Sequence, residues 1–375
     1  MSGWPTVRLE ECTEIVSGAT PSTSESAYWD GDICWATPKD LSELDSAYIS
    51  DTPRKITRSG LQSCAATVLP PESVLFSSRA PIGHVAINTV PMATNQGFKS
   101  FVPKRERVHA KFLYHWLRRN RPYLESLGNG ATFKEVSKAV VAQIEIALPP
   151  LPEQRRIAEI LDKADALRAK RRASLAQLET LTQSIFLDMF GDPATNPKGW
   201  PVKRIDDITE CLDRLRRPVT ESDRKPGNVP YYGANGQQGW IDTALFDEPL
   251  VLVAEDGGYF DAPERGVAYR IDGPAWVNNH AHILRAIRAH VDTEFLHRAL
   301  RHFNFLPFIS GTTRAKLTQG QLNAVKLYVP PLDQQRQFGE RVAGVQRIAQ
   351  VTASSAKQFD ELFAALQHRA FRGEL

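Results

Sequence analysis

The stretch Ile144-Glu-Ile-Ala-Leu-Pro-Pro-Leu-Pro-Glu-Gln-Arg155 returns as Val325-Lys-Leu-Tyr-Val-Pro-Pro-Leu-Asp-Gln-Gln-Arg336, 181 residues later. A chain that carries a strand, a Pro-Pro stop and a helix start twice is an internal duplication, and it should fold as two similar modules related by a pseudo-two-fold. Such a scaffold suits a target with two halves. The length of 375 residues leaves room for two cores of ordinary size.

The two copies align beyond this motif. Trp4-Pro5-Thr6-Val7 opens the first and Trp200-Pro201-Val202-Lys203 the second, which follows a linker-like Gly191-Asp-Pro-Ala-Thr-Asn-Pro-Lys-Gly199. Each then reads as short strands and turns: Ser73–Ser77 and Gly83–Ile87 in the first copy, Leu250–Ala254 and Arg265–Tyr269 in the second. A short helix follows (Ala110–Leu117, Thr293–Leu300), then a turn of small polar residues (Gly128–Thr132, Ser310–Thr313), then an alternating strand. That strand carries Ile144, Ile146 and Leu148, or Val325, Leu327 and Val329. Pro152 and Glu153 begin the next helix well, because proline needs no amide partner there and the carboxylate faces the positive helix end.

Both following helices are long. Apolar residues recur at Ile157, Ile160, Ala164, Leu167, Leu175, Leu178, Leu181 and Ile185, and again at Phe338, Val342, Val345, Ile348, Phe359, Leu362 and Leu366. Polar Arg171, Ser174, Thr352 and Ser355 interrupt these seams. A helix of about 38 residues spans roughly 57 Å, longer than a module of this size is wide. Pairing of the two helices with each other is therefore the expectation. The second must run back along the first, making an antiparallel pair with the modules at its ends in reversed orientation. On DNA such modules would read opposite strands with centres at most roughly 17 base pairs apart.

Charge is nearly balanced, net +3 with a pI near 8.6, and allows a nucleic-acid partner without requiring one. Local basic clusters say more. Lys104, Arg105, Arg107, Lys111, Arg118, Arg119 and Arg121 stand against Glu106 alone, and Arg214, Arg216, Arg217, Arg224 and Lys225 form a second group. Either cluster by itself reads equally as a solvated face, but one in each copy points toward a polyanion. Cys12, Cys34, Cys64 and Cys211 have neither zinc nor disulfide spacing. No signal peptide or membrane span is apparent, so a cytoplasmic protein is expected.

With the paired motifs, the long helices, the terminal Phe371-Arg-Gly-Glu-Leu375, Val229-Pro-Tyr-Tyr-Gly-Ala-Asn-Gly236 and Gly257-Gly258, the chain resembles the specificity subunits of Type I restriction-modification systems. The resemblance covers essentially the whole chain. It implies an α+β fold of two mixed α/β target recognition domains joined by a long antiparallel two-helix coiled coil. Its parts would be residues 1–148 (first recognition domain), 149–191 (central helix), 192–329 (second recognition domain) and 330–375 (C-terminal helix). It further implies double-stranded DNA, two methyltransferase subunits and ATP-dependent restriction subunits as partners. S-adenosylmethionine and ATP would belong to those partners, and this chain would hold no cofactor and no metal and catalyse nothing. In agreement, neither a methyl-transfer motif of the Asn-Pro-Pro-Tyr kind nor a phosphate loop is found. Glu255-Asp256 is the nearest approach to a metal site and reads better as a turn-forming pair.

Base and phosphate contacts need Arg, Lys, Asn, Gln, Ser or Thr on loops and edges. In the first copy the candidates are Ser78, Arg79, Asn95, Gln96, Lys99, Asn129, Thr132 and Lys134. In the second they are Tyr231, Tyr232, Asn235, Gln237, Gln238, Asn278, Asn279, His280, Thr312, Thr313, Arg314 and Lys316. Each alone could be an ordinary turn or surface side chain. Trp29, Trp35, Trp240 and Trp276 read as core, and His280 with His282 as a surface pair. Three other readings remain: a specificity subunit serving a fused methyltransferase-nuclease, an enzyme with unfamiliar motifs, and a coiled-coil adaptor that binds only proteins.

Overall fold

The computed structural model describes residues 3–130, 134–193, 195–309 and 315–375. The chain forms two compact units, residues 1–171 with 355–375 and residues 172–354. Both helices are divided between the units.

In the first unit Thr6–Arg8 pairs antiparallel with Glu145–Ala147, setting Val7 opposite Ile146. A single helical turn, Leu9–Cys12, follows, with the Glu11 carboxylate accepting from the Arg8 amide (3.1 Å) and the Thr13 hydroxyl donating to the Leu9 carbonyl (2.7 Å). The main sheet has the order Thr13–Ser17, Lys99–Pro103, Val74–Phe76, Val85–Asn88, Tyr48–Ile49. Beside it Trp29–Ala36 pairs antiparallel with Lys55–Ile56 and parallel with Met92–Thr94. The helix Ala110–Arg119 covers the main sheet and buries Phe112, Leu113, Trp116 and Leu117.

The second unit repeats this plan. Val202–Arg204 pairs with Lys326–Tyr328, the turn Ile205–Ile208 takes the Asp207 carboxylate on the Arg204 amide (3.2 Å), and the Thr209 hydroxyl donates to Ile205 (2.8 Å). Its main sheet has the order Thr209–Cys211, Ala281–Ala286, Leu250–Ala254, Ala268–Ile271. The helix Thr293–Arg301 lies in the same core as that sheet. The second sheet, Gly236–Ile241, Val229–Gly233, Pro274–Val277, Phe246–Asp247, again holds one parallel pair.

The long helices are Leu151–Phe190 and Leu332–Ala370. Gly191, at φ +84°, ends the first, and its amide donates to the Leu187 carbonyl (2.8 Å). Within the first unit the two helices run antiparallel: Arg156 donates to the Leu375 carbonyl (2.9 Å), and Arg168 pairs with Asp360 (2.6 Å) and lies over the Phe363 ring. Within the second unit the end of the first helix meets the start of the second, with Phe338 against both Phe186 and Phe190 (centroids 5.5 Å).

The seam differs from the periodicity reading. Ile157 and Phe338 are buried as expected, but Leu167 (48% exposed), Leu181, Ile348 and Leu362 face outward. Leu161, Thr182, Phe186, Thr352 and Phe363 take the inward positions. The physical reason is that the guanidinium groups of Arg168 and Arg171 lie over the Phe363 and Phe359 rings, so cationic side chains are themselves part of the seam.

Candidate nucleic-acid interface

Three chain segments converge at one edge of the first unit. The Ser78 amide donates to the Gly97 carbonyl (2.8 Å), and the Val136 amide donates to the Ser78 carbonyl (2.9 Å). The Asn95 side chain accepts from the Gly97 amide (2.8 Å), shaping an Asx turn. Asn129 and Glu135 exchange backbone hydrogen bonds, each 3.0 Å. Ser78, Arg79, Asn95, Gln96, Lys99, Asn129 and Lys134 are thus neighbours, although 56 residues separate Ser78 from Lys134 in sequence.

The second unit builds the same edge. The Glu255 amide donates to the His280 carbonyl (2.9 Å), the Leu317 amide to the Glu255 carbonyl (2.8 Å), and the His280 amide to the Asn278 side chain (2.8 Å). Glu255 therefore occupies the place of Ser78, Asn278 that of Asn95, and Lys316 that of Glu135. Asn235 donates to the Gly257 carbonyl (2.9 Å) and Asn278 to the Gln238 side chain (3.2 Å), which draws the glycine-rich turn onto this edge.

The candidates divide by burial. Gln96, Asn129, Lys134, Asn235, Gln237, Gln238, Asn279 and Lys316 are exposed, and Arg79, Asn95, Tyr232 and His280 are half-buried. Ser78, Lys99, Tyr231 and Asn278 are buried and committed to internal partners: the Gly97 carbonyl, Glu135, the backbone of Val219, and Gln238 with the His280 amide. They shape the edge from within. Thr132, Thr312, Thr313 and Arg314 lie outside the described residues.

The basic run of the first copy behaves otherwise than its charge implies. Lys111 and His115 both pair with Asp162 (2.5 and 2.8 Å), Arg118 pairs with Asp165 (2.8 Å), Arg121 with Glu125 and Arg105 with Glu72. Asp162 and Asp165 belong to the long helix, so the run largely ties the short helix down. Burial raises the Asp162 carboxyl, and His115 and Lys111 outweigh it, leaving the group below the usual carboxylate range. In the second cluster Arg216 points inward, while Arg224 lies over the Tyr231 ring at 3.9 Å.

His282 is not a surface residue. Its Nδ1 faces Asp213 (2.6 Å), its Nε2 faces the Leu317 carbonyl (2.7 Å), and it is 1% exposed. Asp213, Glu255 and His282 bring their ligating atoms within 4.8 Å of one another, a grouping that metal sites share. Here Arg216 takes both carboxylates (2.5 and 3.3 Å) and Lys316 takes Glu255 (3.0 Å). Burial raises the Glu255 carboxyl, and Arg216 and Lys316 hold it lower still than its ordinary value. The donor set is filled by cationic side chains, so the cluster is an ion-pair network. Glu255 belongs to that network and is more than half of a turn pair. Trp240 also departs from expectation: it is 54% exposed on the edge strand Gly236–Ile241, whereas Trp29 and Trp35 are buried.

The sequence reading does not single out Glu135 or Asp213 at this edge, and it places Arg216 in a basic cluster and His282 on the surface rather than in the network behind the edge. Glu135 and Lys316 stand 181 residues apart, the interval of the Pro-Pro motif, which was the available signal.

The fold and its repeated edge define a tandem-repeat protein of two similar units, and comparison with known proteins places it in a family. The family described as Type I restriction modification DNA specificity domain matches residues 1–180 and again 197–353. The chain belongs to that family. It is 34% identical over 245 residues to the Type I restriction enzyme MjaIX specificity subunit of Methanocaldococcus jannaschii, a match covering 61% of this chain and 56% of that relative. It is 22% identical over 347 residues to the EcoprrI specificity subunit of Escherichia coli, covering 87% and 84%. The match to the archaeal relative thus spans about half of that protein's length. Among solved structures, the Type I system S subunit from M. genitalium superposes with a TM-score of 0.62 at 14% identity, over 99% of this chain and 96% of that one. A chain from a study of complex assembly and conformational transition of the type I R-M system gives 0.61 at 19% identity, over 100% and 98%. At these identities the likeness is one of fold. No helix among the described residues is long and apolar enough to cross a membrane.

Proposed function

We propose that this chain is the DNA-specificity subunit of a Type I restriction-modification complex, acting in the cytoplasm and catalysing nothing itself. Residues 1–148 and 192–329 would each read one half of a bipartite site, and the helical parts, 149–191 and 330–375, would act as spacer and as docking surface. Its partners would be double-stranded DNA, two methyltransferase subunits that bring S-adenosylmethionine, and restriction subunits that bring ATP. The observation that carries this reading is the repeated edge, in which Asn95 and Asn278 shape the same Asx turn beside exposed amides and cations. Groups of that kind, held on a rigid sheet edge, suit base edges and phosphates.

The test is selection from a randomised duplex pool by the full chain together with its methyltransferase subunits. Two short fixed elements at a constant separation are expected, with binding that weakens steeply as salt rises. A single contiguous element, or no enrichment, would contradict the proposal. Incubating the chain alone with S-adenosylmethionine and the selected duplex should leave the DNA unmethylated.

A further inference from the structure

We propose that Glu135 and Lys316 are positioning residues for half-site specificity, each pinning together the segments of its own reading edge through ion pairs of opposite polarity. The proposal rests on the DNA-reading function above.

The equivalence comes from backbone geometry. Glu135 precedes Val136, whose amide is bound by Ser78; Lys316 precedes Leu317, whose amide is bound by Glu255. Glu135 bridges to the Arg79 backbone, and Lys316 to that of Asp256. Sheet register agrees: Phe101 opposes Ile15 as Leu284 opposes Cys211, which places Lys99 and His282 alike.

At this common joint the charges are exchanged. In the first unit the acid is Glu135, and the cations Lys99 (3.2 Å) and Arg79 (3.5 Å) come from the neighbouring segments. In the second unit the cation is Lys316, and the acid Glu255 (3.0 Å) comes from the segment that carries Ser78 in the other copy. Glu255 is braced in turn by Arg216, and Arg216 by Asp213. His282 holds the Leu317 carbonyl from behind. Either way, ion pairs join the segment after the short helix to neighbouring strand ends: in the first unit to the segments of Arg79 and Lys99, in the second to the segment of Glu255.

Stability does not account for this arrangement. The side chains of Glu135 and Lys316 are 36% and 49% exposed, so water screens one end of each pair, and although Lys99 (11%) and Glu255 (12%) are largely enclosed, Glu255 keeps Arg216 as a partner. What such a pair does is fix distance. It holds the segment of Asn129 and Lys134 against that of Arg79, and Lys316 against the strand end whose Glu255 amide binds the His280 carbonyl. Groups that read base edges lose discrimination when displaced by a fraction of a hydrogen-bond length.

The experiment is duplex selection with the full chain in its methyltransferase complex, comparing wild type with Lys316→Met, Lys316→Arg and Glu135→Gln, alongside thermal unfolding of each. Lys316→Met should weaken base preference roughly tenfold in one half-site only, with little change in unfolding temperature. Lys316→Arg should preserve the preference, and Glu135→Gln should weaken the other half-site. If wild type selects two half-sites and the variants select them equally well, or if one variant blurs both halves, the pins are not positioning residues. If wild type selects no sequence, the DNA reading itself falls and the pins fall with it.

Discussion

Gln154 and Gln335 make the same buried joint in their respective units. The Gln154 side-chain oxygen accepts from the His109 amide (2.8 Å) and its nitrogen donates to the Pro149 and Arg107 carbonyls (2.8 and 2.9 Å). Gln335 accepts from the Asp292 amide (2.8 Å) and donates to the Pro330 carbonyl (2.7 Å). His109 and Asp292 begin the short helices, and Pro149 and Pro330 precede the long ones. One amide side chain therefore fastens the start of each long helix to the domain it leaves. Only a group that both donates and accepts can do this, which is why the repeated motif carries glutamine there.

Replacing Gln335 by Leu should cost about 3 kcal/mol, because a buried amide and a buried carbonyl lose their partners together. Gln335→Glu should also destabilise, since a carboxylate accepts from Asp292 but cannot donate to Pro330. Thermal unfolding of both variants checks this.

The position of the helix seam is testable by truncation. Leu161→Ala should cost about 3 kcal/mol, and Leu167→Ala less than about 0.5 kcal/mol. Periodicity alone placed Leu167 inward; denaturant unfolding of the two variants would show equal losses if that were right.

Acid should weaken the second unit through Glu294. Burial favours its neutral form, but His297 and Arg298 outweigh burial and bring the carboxyl down to about 2 from its ordinary 4.5. A group whose folded value is depressed adds stability that is complete above the unfolded value and is lost as pH falls toward the folded one. The loss should run from about pH 4.5 downward. Glu294→Gln should flatten that part of the stability profile and cost roughly 3 kcal/mol at neutral pH, since Arg270 and Arg298 would lose their buried partner.

Trp240→Ser should change the unfolding temperature little, whereas Trp35→Ser should lower it strongly, because only Trp35 is enclosed and bonded, through its indole nitrogen to the Ala19 carbonyl.

Much of this architecture was legible in the residues. The Pro-Pro motif marks the start of both long helices, and the short helices and alternating strands lie within a residue or two of their apolar patterns. Legibility ended where distant residues decide the outcome. The basic run around Lys111 reads as a polyanion surface until Asp162 and Asp165 fold back onto it. Arg171 reads as a break in a seam that its guanidinium, over the Phe359 ring, helps to complete. Among the candidate contacts, side-chain chemistry alone did not separate exposed Gln96 from buried Ser78, because the Gly97 carbonyl that Ser78 binds is brought there by the sheet.

Two separable modules should read two separable half-sites. Exchanging residues 1–148 for those of another family member, then sequencing the methylated sites made by the reconstituted complex, tests it most directly. One half of the recognition sequence is expected to change while the other half and the spacing stay as they were. A change in both halves, or in neither, would contradict it.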